Sequence, residues 1–224
     1  MLMKQARVVG AEPLAEGFRL ITLESPEFRG LHWVPGQKVQ IAMGSAFVAR
    51  TFTPIEWDAA AGRTRILGYA HGSGPGSAWV CDTRLGDECD VFGPRASLDV
   101  SHSAATRVVF GDETSIGLAY ALSRHFSGSP LQCLLEVNTV ANTRDVLTRL
   151  DLGGVELFER TENDAHLEDI ERGLPALVAT GATFVLTGKA SSIQRLRRAL
   201  KALGVPAPRL MTKPYWAPGK AGLD

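Results

Sequence analysis

Through the first hundred residues, short runs alternate apolar and polar positions, as in Phe18-Arg19-Leu20-Ile21-Thr22-Leu23, Lys38-Val39-Gln40-Ile41 and Arg63-Thr64-Arg65-Ile66-Leu67-Gly68-Tyr69. A period of two, rich in β-branched and aromatic side chains and broken by turn residues, predicts the strands of an antiparallel barrel or sandwich. One interruption stands out. Ser77-Ala78-Trp79-Val80-Cys81 follows Gly74-Pro75-Gly76 and predicts a short helix that opens out of a tight loop and is closed by Gly86. From Arg107 onward the rhythm changes to apolar runs, Val108–Phe110, Cys133–Val137, Val155–Phe158 and Thr183–Leu186, separated by stretches with helical spacing such as Ile116 to Phe126. This βαβ alternation predicts a mostly parallel sheet flanked by helices, with its ligand site beyond the carboxyl ends of the strands. The change of rhythm falls near Ser101-His102-Ser103, which predicts two domains, residues 1–102 and 103–224.

Composition narrows the function classes. A chain of 224 residues with 45% hydrophobic side chains has enough interior for two cores without disulfides or a structural metal. Lys and Arg number 24 and Asp and Glu 24, a balance that argues against a general nucleic-acid binder. Cys81, Cys89 and Cys133 lack the spacing of a zinc or redox pair, so buried free thiols and a reducing compartment are expected. Residues Met1 to Gly10 place Lys4 and Arg7 among the first apolar residues and do not read as a signal peptide. The most apolar later stretch, Leu174 to Thr187, is interrupted by Pro175 and Gly181 and is too short to span a bilayer. A cytoplasmic protein without membrane insertion is the expectation, and its oligomeric state is left open.

Three constellations carry candidate chemistry. Arg50-Thr51-Phe52-Thr53-Pro54 has strand alternation, which puts Arg50 and Phe52 on one face and Thr51 and Thr53 on the other. A flat redox ring bound to a barrel needs such an aromatic wall, a hydroxyl and a cation, although the same residue types simply favour strands. His71-Gly72-Ser73-Gly74-Pro75-Gly76-Ser77-Ala78-Trp79 combines glycines with a helix start, suited either to a pyrophosphate at free N–H groups or to a plain turn and cap. The third constellation is Gly86-Asp87 with Gly93-Pro94.

Taken in order, these motifs resemble the siderophore-interacting protein family of the ferredoxin-reductase superfamily. That family carries Arg-x-Tyr-Thr/Ser, then His-Gly…Gly-Pro-Ala-Ser-x-Trp, then Gly-Asp and Gly-Pro. Gly111-Asp112-Glu113-Thr114-Ser115 is similar to the family's Gly-Asp-Glu-Thr at the start of its nucleotide domain, and Tyr215-Trp216-Ala217-Pro218-Gly219-Lys220 to its Tyr-Trp-x-x-Gly ending. Phe52 replaces the usual Tyr and Gly76 the usual Ala. The resemblance implies an antiparallel flavin-binding barrel followed by a nucleotide-binding α/β domain. The implied activity is an FAD-dependent reductase that takes hydride from NADPH or NADH and reduces a ferric siderophore, or another ferric chelate, to release ferrous iron. It also implies that Arg50 meets the FAD pyrophosphate, that Phe52 packs on the flavin with Thr51 beside it, and that Thr53 bonds near N5. The backbone of Gly74, Gly76 and Ser77 would hold phosphate, with His71 and Trp79 lining the site. Asp112, Thr114 and Ser115 would serve the nicotinamide nucleotide, and Trp216 would lie near the flavin. A flavin or ferredoxin-type reductase with another acceptor, and a binding module without turnover, are the alternatives.

Asp112 or Thr114 also fits an ordinary helix cap, and no Gly-x-Gly-x-x-Gly fingerprint accompanies them. Eight basic residues run from Lys189 to Lys220 with no acidic residue before Asp224. Lys189 with Arg195 or Arg197 could hold a ribose 2′-phosphate or be plain surface charges, and Lys213 and Lys220 are candidates for steering an anionic ferric complex. His32, His102, His125 and His166 have no metal-ligand spacing and are expected to be structural or surface residues. No metal site and no hydrolase nucleophile are expected.

Overall fold

The computed structural model describes residues 3–45, 48–100 and 106–220, which fall into two compact units dividing between Ser97 and Leu98. The expected hinge at Ser101-His102-Ser103 lies outside the described residues, as does His102.

The first unit is a seven-stranded antiparallel sheet. Its strands are β1 (Lys4–Ala15), β2 (Phe18–Glu24), β3 (Lys38–Ser45), β4 (Val48–Phe52), β5 (Pro54–Asp58), β6 (Arg63–Tyr69) and β7 (Glu88–Arg95), in the order β4-β3-β7-β1-β2-β6-β5. The two strands at the ends of this order, β4 and β5, are consecutive in the chain and separated only by Thr53, so the sheet curls round in the manner of a barrel. Alternation fills its interior, since β6 buries every second residue and puts Ile66 in one core with Ile21, Leu23, Phe28, Val39, Ile41 and Val91. Helix α1 (Pro75–Asp82) lies against β6. A Cβ on Gly68 would come within 2.7 Å of Val80, so glycine is what admits the helix. The helix ends at Asp82, before Gly86, where Thr83 turns to an extended ψ of 131° while its amide and hydroxyl still donate to the Trp79 carbonyl.

The second unit is a five-stranded parallel sheet in the order β10-β9-β8-β11-β12. Strands β8 (Arg107–Gly111), β9 (Leu131–Val137), β10 (Val155–Glu159), β11 (Thr183–Lys189) and β12 (Leu210–Trp216) are joined through helices α2 (Ile116–His125), α3 (Val140–Arg149), α4 (His166–Ala179) and α5 (Ala190–Ala202). Strand β8 is buried throughout, as a central parallel strand covered on both faces should be. Leu167, Ile170 and Leu174 of α4 and Ile193, Leu196 and Leu200 of α5 recur at helical spacing and pack on Val108, Phe110, Leu134, Phe184 and Leu186. Pro175 lies inside α4, whose apolar face carries the helix past it, and the left-handed Gly181 follows the helix end. Strand β12 was not foreseen in the basic tail. Of the cysteines only Cys133 is buried; Cys89 is half-buried, and Cys81 is exposed because α1 turns Ser77 and Val80 inward instead. Burial pushes the Cys133 and Cys89 thiols up to about 12, Asp90 and Asp87 adding to the effect at Cys89.

Candidate functional site

In the first unit, strand β4 and the loop before α1 meet. Arg50 donates from Nη1 to the carbonyl of Ala49 at 2.8 Å, and its stem runs along the first turn of α1, where a Cβ on Gly76 would stand 3.3 Å from Arg50 Cγ. The ring of Phe52 lies 5.1 Å from that of Trp79, tilted by 50°. The loop is closed by the amide of His71, which donates to Ser77 Oγ at 3.1 Å, while the His71 ring stacks on Tyr69 at 6.1 Å. Gly74 caps α1 without a side-chain bond, and Pro75 opens it. The first bond from this turn back to the cap is Ala78 N to the Gly74 carbonyl, so the amides of Gly76 and Ser77 precede the helical ladder. Added Cβ atoms at Gly72 and Gly74 would meet nothing within 4 Å, so there is open space beside these two loop residues. Thr51 and Thr53 are half-buried on either side of Phe52. Two of the expected constellations are therefore neighbours, through Arg50 with Gly76 and Phe52 with Trp79. Of the third, Gly86-Asp87 forms a turn in which Asp87 accepts from the amide of Arg84 at 2.8 Å, whereas Gly93-Pro94 lies within β7, where the buried Lys4 donates to the Gly93 carbonyl at 3.1 Å.

In the second unit, the carboxyl edge of the sheet carries a cluster of buried charge. Asp112 caps the single 3₁₀ turn Glu113–Ser115. Its Oδ1 accepts from the amide (2.9 Å) and hydroxyl of Thr114, and its Oδ2 accepts from the indole of Trp216 at 2.6 Å. Ser115 accepts a hydrogen bond from Thr187 at 2.9 Å. Asp112 and Ser115, expected to contact a nucleotide, have no exposed side-chain surface; they brace the turn, and Thr114 alone of the three reaches the surface. Two glycines make the close approach possible, since a Cβ on Gly111 would stand 2.3 Å from Ser115 and one on Gly188, at φ +91°, 2.5 Å from Asp112.

Around this turn lie residues that the sequence did not single out. Arg160, which follows β10, approaches Glu113 at 3.0 Å, Asp112 at 3.6 Å and Glu136 at 3.9 Å, and donates to Asn138 Oδ1 at 2.8 Å. The amide of Asn138 donates to Glu113 at 2.6 Å. Glu136 is wholly buried between the starts of α4 and α5, with His166 Nε2 at 2.9 Å and Ser192 Oγ at 3.1 Å from its Oε2. The amide of Thr161 donates to His166 Nδ1 at 3.2 Å, which puts the ring proton on Nε2, pointing at Glu136. His166 is therefore structural, as expected, but paired. The signal for this cluster was Glu136 itself, a charge inside the apolar run Cys133–Val137, because a fully buried carboxylate needs partners.

The basic tail is less basic in space than in sequence. Lys189 pairs with Asp164 at 3.1 Å, Arg195 grips Glu171 at 2.7 and 2.8 Å, and Arg209 donates to the Ala182 carbonyl at 2.6 and 2.9 Å. Lys213 sits half-buried in β12 beside Thr187, and Lys220 is exposed in the turn that follows. No group of three or more metal-ligating side chains, and no helix long and apolar enough to cross a membrane, occurs among the described residues.

Comparison with known proteins gives the following. A search of curated protein sequences finds no match. The siderophore-interacting protein SipS from Aeromonas hydrophila is 21% identical, with 98% of this chain and 93% of that one covered at a TM-score of 0.80. A siderophore utilization protein from T. fusca is 22% identical, with 99% and 95% covered at a TM-score of 0.78. Phthalate dioxygenase reductase is 16% identical, with 97% of this chain and 70% of that one covered at a TM-score of 0.75. Identities this low establish the fold, and a family model adds the motif-bearing segment. Residues 37–98, which hold Arg50 to Thr53 and the loop into α1, match the siderophore-interacting FAD-binding domain, and the chain as a whole has a ferredoxin-reductase-like fold.

Proposed function

We propose that the chain is an FAD-dependent oxidoreductase that takes hydride from a nicotinamide nucleotide and reduces iron(III) held by a siderophore or similar chelate. The observation that carries the reading is the meeting, within the segment matching the FAD-binding domain, of four features suited to a flavin dinucleotide: the amides at the start of α1, open space beside Gly72 and Gly74, Arg50 alongside, and the Phe52–Trp79 pair. These residues fit the group. The amides of Gly76 and Ser77 with the Arg50 guanidinium would hold the pyrophosphate, the positive end of the helix adding its field. Phe52 would offer an aromatic face to the isoalloxazine, with Thr51 and Thr53 supplying hydroxyls at its polar edge and His71 and Trp79 closing the side. When bound, FAD supplies the conversion of a two-electron hydride into the single electrons that ferric iron accepts. Ferrous iron, less charged than ferric, is held weakly by hard oxygen ligands, so release follows reduction. Lys213 and Lys220 would raise the encounter rate of an anionic ferric complex.

An absorption spectrum of the purified protein after incubation with FAD tests cofactor binding, and trapping of ferrous iron from a ferric siderophore with NADH or NADPH tests turnover. Flavin bands and ferrous release are expected; a protein that cannot be loaded with FAD would overturn the proposal. A second reading, electron transfer to a protein acceptor, is favoured by the likeness to phthalate dioxygenase reductase. Comparing rates with ferric chelates and with a [2Fe–2S] ferredoxin separates the two.

A further inference from the structure

The charge at the carboxyl edge of the five-stranded sheet bears on which pyridine nucleotide can serve, an inference that rests on the hydride-donor role proposed above. A parallel sheet of this kind takes a dinucleotide beyond its strand ends. There the two nicotinamide dinucleotides differ at a single ribose carbon, which carries a hydroxyl in NADH and a phosphate in NADPH. A phosphate in that place is ordinarily met by an arginine or lysine with donors to spare, whereas a hydroxyl is met by a carboxylate or another small polar group.

The cations at the carboxyl ends of β10 and β11 on this edge are paired with carboxylates. Arg160, only 15% exposed, stands among Asp112, Glu113 and Glu136, and its Nη1 is further engaged by Asn138. Lys189 is neutralised by Asp164 at 3.1 Å. Arg195, in the second turn of α5, holds Glu171 with two bonds and the Asp164 carbonyl with a third at 3.2 Å. Arg197 and Arg198 are exposed on the outer side of α5, about 10 Å along the helix from its start at 1.5 Å per residue.

Four carboxylates, Asp112, Glu113, Glu136 and Asp164, thus lie against two cations, Arg160 and Lys189. Glu136 Oε1 and, facing it, Arg160 Nε and Nη2 are all buried without a hydrogen-bond partner, so these groups are held together by charge and not by close hydrogen bonds. Thr114, Asn138 and Thr139 reach the surface after β8 and β9 at this edge, groups of the size and polarity that suit hydroxyls. We infer that the hydride donor is the nucleotide without a 2′-phosphate, NADH, and that the ion pairs of Lys189 and Arg160 disfavour NADPH by leaving its phosphate no unpaired cation at the ends of β10 and β11 and a carboxylate-rich surrounding.

The test uses the FAD-loaded protein. Anaerobic stopped-flow traces of flavin bleaching give second-order rate constants for each nucleotide, and calorimetry gives the affinities of ADP-ribose and 2′-phospho-ADP-ribose independently of turnover. NADH is expected to react at least ten-fold faster than NADPH, and ADP-ribose to bind at least ten-fold tighter than its phosphorylated form. Asp164→Asn, which tolerates the left-handed backbone at φ +55° and frees Lys189, should narrow both ratios by improving the phosphorylated partner. Equal or better use of NADPH, tighter binding of 2′-phospho-ADP-ribose, or a phosphate preference that disappears in Lys213→Ala would overturn the inference while leaving the donor role intact. If neither nucleotide bleaches the flavin and neither ADP-ribose binds, the donor role itself fails.

Discussion

Replacing Arg160 by Met keeps the length of the side chain and removes its charge, so the cost falls on the carboxylates it faces. Asp112 and Glu136 have no exposed side-chain surface and Glu113 has 3%, so none of the three can turn to water when the cation goes. The contacts at 3.0, 3.6 and 3.9 Å act where screening is weak, and removing one partner of a buried pair costs about 3–5 kcal/mol because a charge is left behind. With a urea m-value of about 2 kcal/mol/M, the unfolding midpoint should fall by ~1.5–2.5 M. The assay is urea unfolding followed by far-ultraviolet circular dichroism, with Glu113→Gln made alone and together with Arg160→Met. Removing one carboxylate should cost less in the Arg160→Met background than in the parent, giving a coupling energy of about 0.5–3 kcal/mol between the two sites. A midpoint shift below ~0.5 M, or additive costs, would show that water or rearrangement serves these carboxylates and that Arg160 is not their counterion.

Arg50→Ala should weaken FAD by roughly 10- to 150-fold, about 1.5–3 kcal/mol for a charge-assisted bond, and FMN much less; equal losses in fluorescence titrations would remove Arg50 from the pyrophosphate. Reversing Lys213 and Lys220 together to Glu should lower kcat/KM for an anionic ferric siderophore, with the deficit shrinking as salt shortens the Debye length below ~8 Å. A neutral chelate is the control, and a deficit indifferent to salt would contradict steering. Cys81 should react with a maleimide at neutral pH while Cys89 and Cys133 stay protected, as peptide mapping would show. Because burial raises the latter two thiols from 9.0 to about 12, the unfolded chain loses these protons first. Their contribution to stability should be level below pH 9 and lost between 9 and 12, and a rise in unfolding midpoint over that window would refute the assignment.

The elements that were legible in the sequence are those whose neighbours are local or whose period is clean. Strand β6 alternates, β8 is a continuous apolar run, and α2 opens after an Asp–Thr cap, so each could be placed from its own residues. Strand β12 could not. All seven of its residues are half-buried, Lys213 and Pro214 interrupt any period, and it becomes a strand only by pairing with β11. The constellation of the first unit was legible because it is compact in sequence, from Arg50 to Trp79, and the structure brings its two parts into contact. The charged edge was not, because Arg160, Glu136 and Asp112 come from three separate strand ends and no spacing rule links them. For the same reason the tail looked like an unopposed positive run. Its counterions, Asp164 and Glu171, belong to α4 and its entry, and only the packing of α4 against α5 brings them into reach.

The bond between Asp112 and Trp216 spans 104 residues, and this separation governs the order in which the second unit can be finished on the ribosome. Strand β8 is made first but lies in the middle of the sheet, with β11 as one neighbour and β12 beyond it, so the centre must wait for the periphery. At about 5–20 residues per second, Asp112 emerges ~5–20 s before the indole that satisfies it. Until β11 emerges, Gly111, Asp112 and Ser115 have neither Thr187 nor Trp216 to close over them, and β8 presents an open apolar edge on the side later taken by β11. A nascent chain stalled before Trp216 would hold a nearly complete sheet in which Asp112, a carboxylate with no exposed surface once folded, lacks its final donor.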